Sequence, residues 1–127
     1  MIAAFLYIGK SGSMGRGVFT KESIPGGTIV ETSPVIVMSH EHRLLLDQTL
    51  LHDYIFEWGK KHNQCCMALG YIALYNHSYR ANCEYVMDYE LDLISVCSVR
   101  HIQAGEELFI NYNGDWDNQK PLWFDAL

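Results

Sequence analysis

Three short segments carry residue types from which a site could be assembled. Gly15-Arg16-Gly17 sets two glycines one residue apart, ahead of Val18-Phe19. Lacking Cβ atoms, such a stretch lets the backbone approach a bulky ligand and present its N–H and C=O groups to it. An ordinary turn needing positive φ would use the same residues. The stretch opens no long helix within a βαβ unit, so it is not a dinucleotide-binding fingerprint. Asn76-His77-Ser78 stands between the apolar run 65–75 and the polar stretch 79–82. An amide and an imidazole emerging from buried structure need partners, either local backbone groups or a ligand. Gly105-Glu106-Glu107-Leu108-Phe109-Ile110-Asn111-Tyr112 ends on one of eight tyrosines. A tyrosine closing a strand is either a half-buried packing residue or a phenol offered to a site.

These segments need a scaffold, and length and composition bound it. The chain of 127 residues, 49% of them hydrophobic, fits one domain able to bury a core without disulfides or a metal. We read a single unit over 1–127, with a core over about 10–114 and an aromatic tail over 115–127. The apolar start, Met1 to Ile8, lacks a basic flank and is too short for a membrane span or a complete signal peptide. The expectation is an intracellular protein with no membrane partner, cytoplasm and nucleus not being distinguished. A formal net charge of −6 with nine Lys plus Arg speaks against direct nucleic-acid binding and accommodates a basic partner. Mild acidity is also simply how many soluble proteins stay soluble. Cys65, Cys66, Cys83 and Cys97 form no C-x-x-C pair, so neither a metal site nor a redox motif is written in their spacing. They read as reduced, mostly core-packed thiols.

In the first forty residues short apolar runs alternate with glycine-bearing turns, which predicts short strands at 5–8, 17–20, 28–30 and 35–38. Leu44, Leu45 and Leu50 with flanking charges predict a short helix within 40–51. Residues 65–75 are buried strand or helical turn, periodicity alone not choosing. Segments 83–87 and 92–99 flank Asp88-Tyr89-Glu90 like the arms of a hairpin, and a last strand follows at 108–112. Ile24-Pro25-Gly26-Gly27 is echoed by Ile102-Gln103-Ala104-Gly105, which we read as two similar turns rather than a repeat. The sum is a mostly β fold with little helix, whose site sits in loops converging at one end.

Order and combination add what the segments lack singly. Gly-x-Gly near the start, Asn76-His77-Ser78-Tyr79-Arg80-Ala81-Asn82-Cys83 past the middle, and the run 105–112 together resemble the SET domain of protein-lysine methyltransferases. The likeness extends over roughly Lys10 to Trp123. Ala68-Leu69-Gly70-Tyr71 and Asp53-Tyr54 resemble the minimal, zinc-free viral-type members, which are similarly short. The resemblance implies a SET-domain β-clip fold of short strands, with a pseudoknot-like C-terminal crossing where the Asn-His-Ser segment meets the strand ending at Tyr112. It implies S-adenosylmethionine as cofactor, bound by Met14, Gly15, Arg16 and Gly17 with Asn76, His77 and Tyr112, and Trp123 covering the adenine. It makes Tyr112 the central catalytic tyrosine and places Tyr54 and Tyr85 along the lysine channel. It implies a lysine-containing protein substrate, such as a histone tail or another basic protein, and a possible homodimer.

The residue types suit methyl transfer, an in-line displacement by a neutral amine in which alignment matters more than activation. A lysine of pKa about 10.4 must first lose a proton, and both an apolar channel and a nearby cation push that value down. Tyrosine rings exclude water and offer an electron-rich face to cationic groups. Cys83 stands where many members have a zinc-ligating cysteine, but residues 113–127 contain no cysteine to complete that site. The tail with Trp116, Trp123 and Phe124, or a second subunit, must then close the channel. Asn111 replaces a common aspartate, and Arg16 an aromatic of the minimal viral members. Two rival readings are a catalytically silent SET-like interaction module and a small hydrolase pairing His77 with a cysteine.

Overall fold

The computed structural model describes residues 1–61 and 63–112. They form two antiparallel-rich sheets joined by tight turns, with one short α-helix among them. β1 (Leu6–Lys10), β2 (Arg16–Thr20), β9 (Glu107–Ile110) and β6 (Asn76–His77) make a four-stranded sheet in the order β1-β2-β9-β6. β4 (Phe56–Trp58), β5 (Gln64–Ala68), β3 (Ile29–Met38), β8 (Leu93–Ser98) and β7 (Cys83–Asp88) make the second, in the order β4-β5-β3-β8-β7.

Period-2 patterning builds the core. Ile94, Val96 and Ser98 point inward along β8, as do Leu108 and Ile110 along β9, and Val18 from β2 joins them. The echoed turns found in the sequence pair with each other. Ile24 and Ile102 form an antiparallel bridge, exchanging backbone hydrogen bonds of 2.8 and 2.9 Å, and both side chains are buried. Gly27 and Gly105, each three residues on, take φ of 80° and 90°, which glycine adopts without a Cβ penalty.

The structure corrects the sequence reading in two places. The strands expected at 28–30 and 35–38 are one ten-residue strand, β3. It pairs with β8 over 29–34 and with β5 over 35–38, so Pro34 falls at the handover. A register shift between Ile29 and Glu31 buries two consecutive residues, Val30 and Glu31. Such a bulge breaks the period-2 rule locally. The helix expected within 40–51 is shorter: α1 spans His40–Leu46, capped by Ser39, and a separate 3-10 turn covers Leu50–Asp53. Leu44, Leu45 and Leu50 remain exposed. The ambiguous run 65–75 resolves into β5, the turn Leu69-Gly70, and a 3-10 turn at Ile72–Leu74 leading into β6.

Candidate active site

β6 runs parallel to β9, with Asn76 opposite Phe109 and His77 opposite Ile110. This junction brings Asn76-His77 beside Tyr112, which follows β9. Asn82 fastens it: its buried amide donates to Glu107 O at 2.9 Å and accepts from Phe109 N at 2.8 Å. Together these two bonds do what one more ladder rung would, across segments twenty-five or more residues apart.

A cleft of about 280 Å³ opens at the junction, lined among others by Met14, Gly15, Arg16, Asp53, Tyr54, Asn76 and Tyr112. Six of the expected site residues therefore meet in one place. Gly15 takes φ 80°, and no heavy atom lies within 4 Å of where its Cβ would stand, so space opens directly beside this backbone. Asn76 Nδ2 donates to Arg16 O at 3.0 Å and to Glu107 Oε2 at 2.8 Å, tying the glycine-bearing segment to β6 and β9. Glu107 also accepts from Ser11 Oγ at 2.5 Å, which anchors the other end of the 12–14 turn.

Gly17, His77 and Tyr85 are not among the residues lining this cleft; the buried Gly17 and His77 stand behind its wall. Gly17 is buried, and a Cβ there would overlap Glu107 Oε2. His77 accepts the Tyr112 backbone N–H on Nδ1 at 3.0 Å, which fixes the neutral tautomer bearing its proton on Nε2. Burial lowers its pKa and favours the same neutral form. Its Nε2 is buried with no hydrogen-bond partner among the described residues. Tyr85 packs against Phe56 with ring centroids 5.4 Å apart, and its hydroxyl donates to Tyr112 O at 3.4 Å. Trp123, with Trp116 and Phe124, lies outside the described residues.

Tyr112 Oη donates to Tyr75 O at 2.7 Å. Burial pushes this phenol up to about 12, and Tyr54, Tyr85, Asp53 and Glu107 add to the shift. It is a neutral hydroxyl whose proton is already committed. Burial likewise pushes the Cys66 and Cys83 thiols up to about 12, so neither is a ready thiolate. With His77 Nδ1 occupied by Tyr112 and no cysteine hydrogen-bonded to the ring, the Cys–His hydrolase reading has no dyad. Among the described residues no cluster of three His, Cys, Asp or Glu could hold a metal.

The sequence reading missed Ser11, Asn82 and Glu107, which hold the cleft residues in place. Glu107 and Asn82 lay inside the quoted motifs, so their signal was present. Ser11 carried none, since a serine before a glycine turn is unremarkable composition.

Two sheets, a parallel β6–β9 pair, and a cleft where that pair meets a glycine-bearing turn define the SET-type class of β fold. The SET-domain family model matches residues 15–113, and the chain belongs to that family. Over 112 residues it is 36% identical to a histone-lysine N-methyltransferase of Schizosaccharomyces pombe that is H3 lysine-37 specific; the match spans 87% of this chain and 71% of that protein. A solved structure of a Plasmodium falciparum protein assigned as a histone methyltransferase has a TM-score of 0.65 at 29% identity, covering 87% of this chain and 99% of that one. A chain of the Chaetomium thermophilum Polycomb Repressive Complex 2 gives a TM-score of 0.75 at 23% identity. It covers 93% of this chain but 16% of that one, and its likeness concerns the fold alone.

Proposed function

We infer that this protein is an S-adenosylmethionine-dependent protein-lysine N-methyltransferase. The observation that carries the reading is the convergence of Met14–Arg16, Asn76, Tyr54 and Tyr112 on one cleft in a chain of the SET-domain family. The residues present fit a bulky, polar methyl donor. Open space flanks Gly15, the Arg16 and Asn76 segment is held by hydrogen bonds at the cleft edge, and an orphaned imidazole N–H waits behind it. S-adenosylmethionine supplies an electrophilic methyl group on a sulfonium centre.

The chain's own residues then have separable tasks. Backbone 14–16 and Asn76 bind and orient the donor. The rings of Tyr54, Tyr85 and Tyr112 wall the lysine channel and exclude water, which favours the neutral amine over the ammonium. The lysine proton leaves to solvent as the side chain enters: the Tyr112 hydroxyl and the Glu107 carboxylate are engaged in hydrogen bonds, and the Asp53 carboxylate stands at the solvent-exposed edge of the cleft. Tyr112 Oη points its hydrogen at Tyr75 O, so it offers lone pairs to the amine N–H and helps aim the nitrogen lone pair at the methyl group. Trp123 is proposed to cover the adenine on the resemblance alone.

The proposed substrate is a basic protein of the histone class. The −6 net charge supports it, as does the 36% identical relative's specificity for histone H3. Such a substrate fits an intracellular setting, and among the described residues no helix is long and apolar enough to cross a membrane. The test is to incubate purified protein with labelled S-adenosylmethionine and histone H3, other histones and lysine-rich proteins. Label on lysine is expected. No transfer together with no calorimetric donor binding overturns the assignment. Tyr112→Phe is expected to lower turnover about a hundredfold while keeping most donor affinity; equal loss of both would show that Tyr112 serves binding rather than transfer.

A further inference from the structure

Glu31 is the most deeply buried acid in the described structure, with 0% exposure, and it does not line the cleft. A carboxylate in a core is costly unless its lone pairs are filled. Here every neighbour bonded to it is a donor. Oε2 accepts from Ser33 Oγ at 2.7 Å and from the Tyr71 backbone N–H at 2.8 Å, and Oε1 accepts from Tyr75 Oη at 3.0 Å. Gly70 sits directly on this carboxylate. With φ +64°, a Cβ there would overlap both Glu31 Oε2 and Ser33 Oγ. The bulge in β3 turns Glu31 inward to meet that turn.

Two of the three bonds, those from Tyr71 N and Tyr75 Oη, come from the segment entering β6. Tyr71 opens the 3-10 turn Ile72–Leu74, and Tyr75 closes it immediately before Asn76. Tyr75 is fully buried, and its own carbonyl accepts the Tyr112 hydroxyl at 2.7 Å. One chain of contacts thus runs from Glu31 through the Tyr75 side chain to the Tyr75 carbonyl, and from there to Tyr112 Oη. Its far end decides which way the phenol proton points, and so whether the hydroxyl meets an incoming amine as acceptor or donor.

We propose that Glu31 is a positioning residue for methyl transfer, acting through Tyr75 to hold the Tyr112 hydroxyl with its proton turned away from the substrate amine. The proposal rests on the reading of Tyr112 as the tyrosine of the methyl-transfer channel. A carboxylate is suited to the task because it can only accept: it holds Tyr75 Oη as a donor and so fixes where the Tyr75 backbone stands, and with it the carbonyl that receives the Tyr112 hydroxyl.

The test compares full-length wild type, Tyr112→Phe, Tyr75→Phe, Glu31→Gln and the Tyr75→Phe/Glu31→Gln double variant. Turnover is normalised to the number of molecules that bind S-adenosylmethionine, which removes any loss from unfolding. Tyr75→Phe keeps the ring and deletes only the hydroxyl. Its kcat is expected to fall about tenfold or more, with the KM for S-adenosylmethionine unchanged. Glu31→Gln can still reach the Tyr75 hydroxyl through its amide and should lose less, while the double variant should be no worse than Tyr75→Phe. A normalised kcat equal to wild type in Tyr75→Phe, with only the melting temperature lowered, overturns the proposal and makes Glu31 purely structural. If Tyr75→Phe gives no folded protein, Glu31→Gln decides alone: reduced kcat at unchanged KM supports the proposal, and wild-type kcat overturns it. Wild-type turnover in Tyr112→Phe would instead overturn the role given to Tyr112, which separates the two failures.

Discussion

Adding one methyl group at Gly17 tests the coupling between the glycine-bearing turn and the rest of the cleft. Gly17 is not among the positive-φ glycines, so alanine brings no backbone strain there. Its Cβ would overlap Glu107 Oε2 and stand 2.9 Å from both Glu107 Cδ and Asn76 Nδ2. The backbone cannot yield, because Val18 and Phe19 are paired to Leu108 and Glu107 on β9. The Glu107 carboxylate must therefore swing, breaking or lengthening its bonds from Asn76 Nδ2 and Ser11 Oγ. Each hydrogen bond to a charged group contributes roughly 1.5–3 kcal/mol. Partial retention puts the stability loss at about 2–4 kcal/mol, a melting point lower by roughly 10 °C. Asn76 lines the cleft, so donor affinity should weaken about tenfold to a hundredfold, ~1.4–2.8 kcal/mol. The assays are thermal denaturation and calorimetric titration with S-adenosylmethionine, repeated in a Glu107→Ala background. There the obstructing carboxylate is gone and only the Asn76 Nδ2 contact remains, so Gly17→Ala should cost clearly less than in the wild type. Wild-type melting and binding in Gly17→Ala, or additive losses in the double variant, would refute the coupling.

Asn82→Ala leaves Glu107 O and Phe109 N without partners in a buried setting, at roughly 1–3 kcal/mol each. Urea denaturation should register a loss of about 3 kcal/mol, and a loss comparable to an ordinary surface substitution would contradict the fastening role. His77 has its pKa lowered by burial, so the unfolded chain binds the proton more readily than the folded one. Its contribution to stability is complete above the ordinary imidazole value of about 6.5 and is lost as pH falls below it. Denaturation curves from pH 8 to 5 should therefore show acid destabilisation that is shallower in His77→Asn, whose amide oxygen can still accept the Tyr112 N–H; identical slopes would exclude His77 as the source. Chelators should leave methyl transfer unchanged, and inhibition restored by zinc would show a metal site that the cysteine spacing does not predict.

What the sequence made legible was what short-range rules govern. The β8 alternation, the glycine turns and the Asn76 and Tyr112 segments carried their own signals, and their order gave the family. What it hid depends on contacts between distant segments. Pro34 reads as a strand break, yet β3 continues through it because the strand changes partner at that residue. Glu31 falls outside the strands expected at 28–30 and 35–38, and only the bulge beside it turns it into the core. Leu44, Leu45 and Leu50 predict one short helix within 40–51, but α1 is seven residues long, stops before Leu50 and buries none of its side chains. The sequence marked His77 and Gly17 as candidates for the site, but not their place behind the cleft wall, because motif spacing does not say which side of a strand a neighbour occupies.

The charge states of the candidate site follow one pattern, and it narrows the chemistry. Tyr112 is pushed up to about 12 and donates its hydrogen bond to a backbone carbonyl. His77 is held neutral by burial and by the N–H it accepts. Glu107 lies against the cleft wall, but its carboxylate oxygens are engaged by Ser11 and Asn76. A general-base mechanism needs a group poised near the working pH and within reach of the proton, and each of these candidates is either out of range or already spent. Buried neutral groups with fixed hydrogen-bond polarity do something else well: they hold a neutral nucleophile in line without competing for its proton. The rate should then depend on pH through the lysine amine itself, rising as that amine deprotonates, with no limb belonging to Tyr112 below about pH 12.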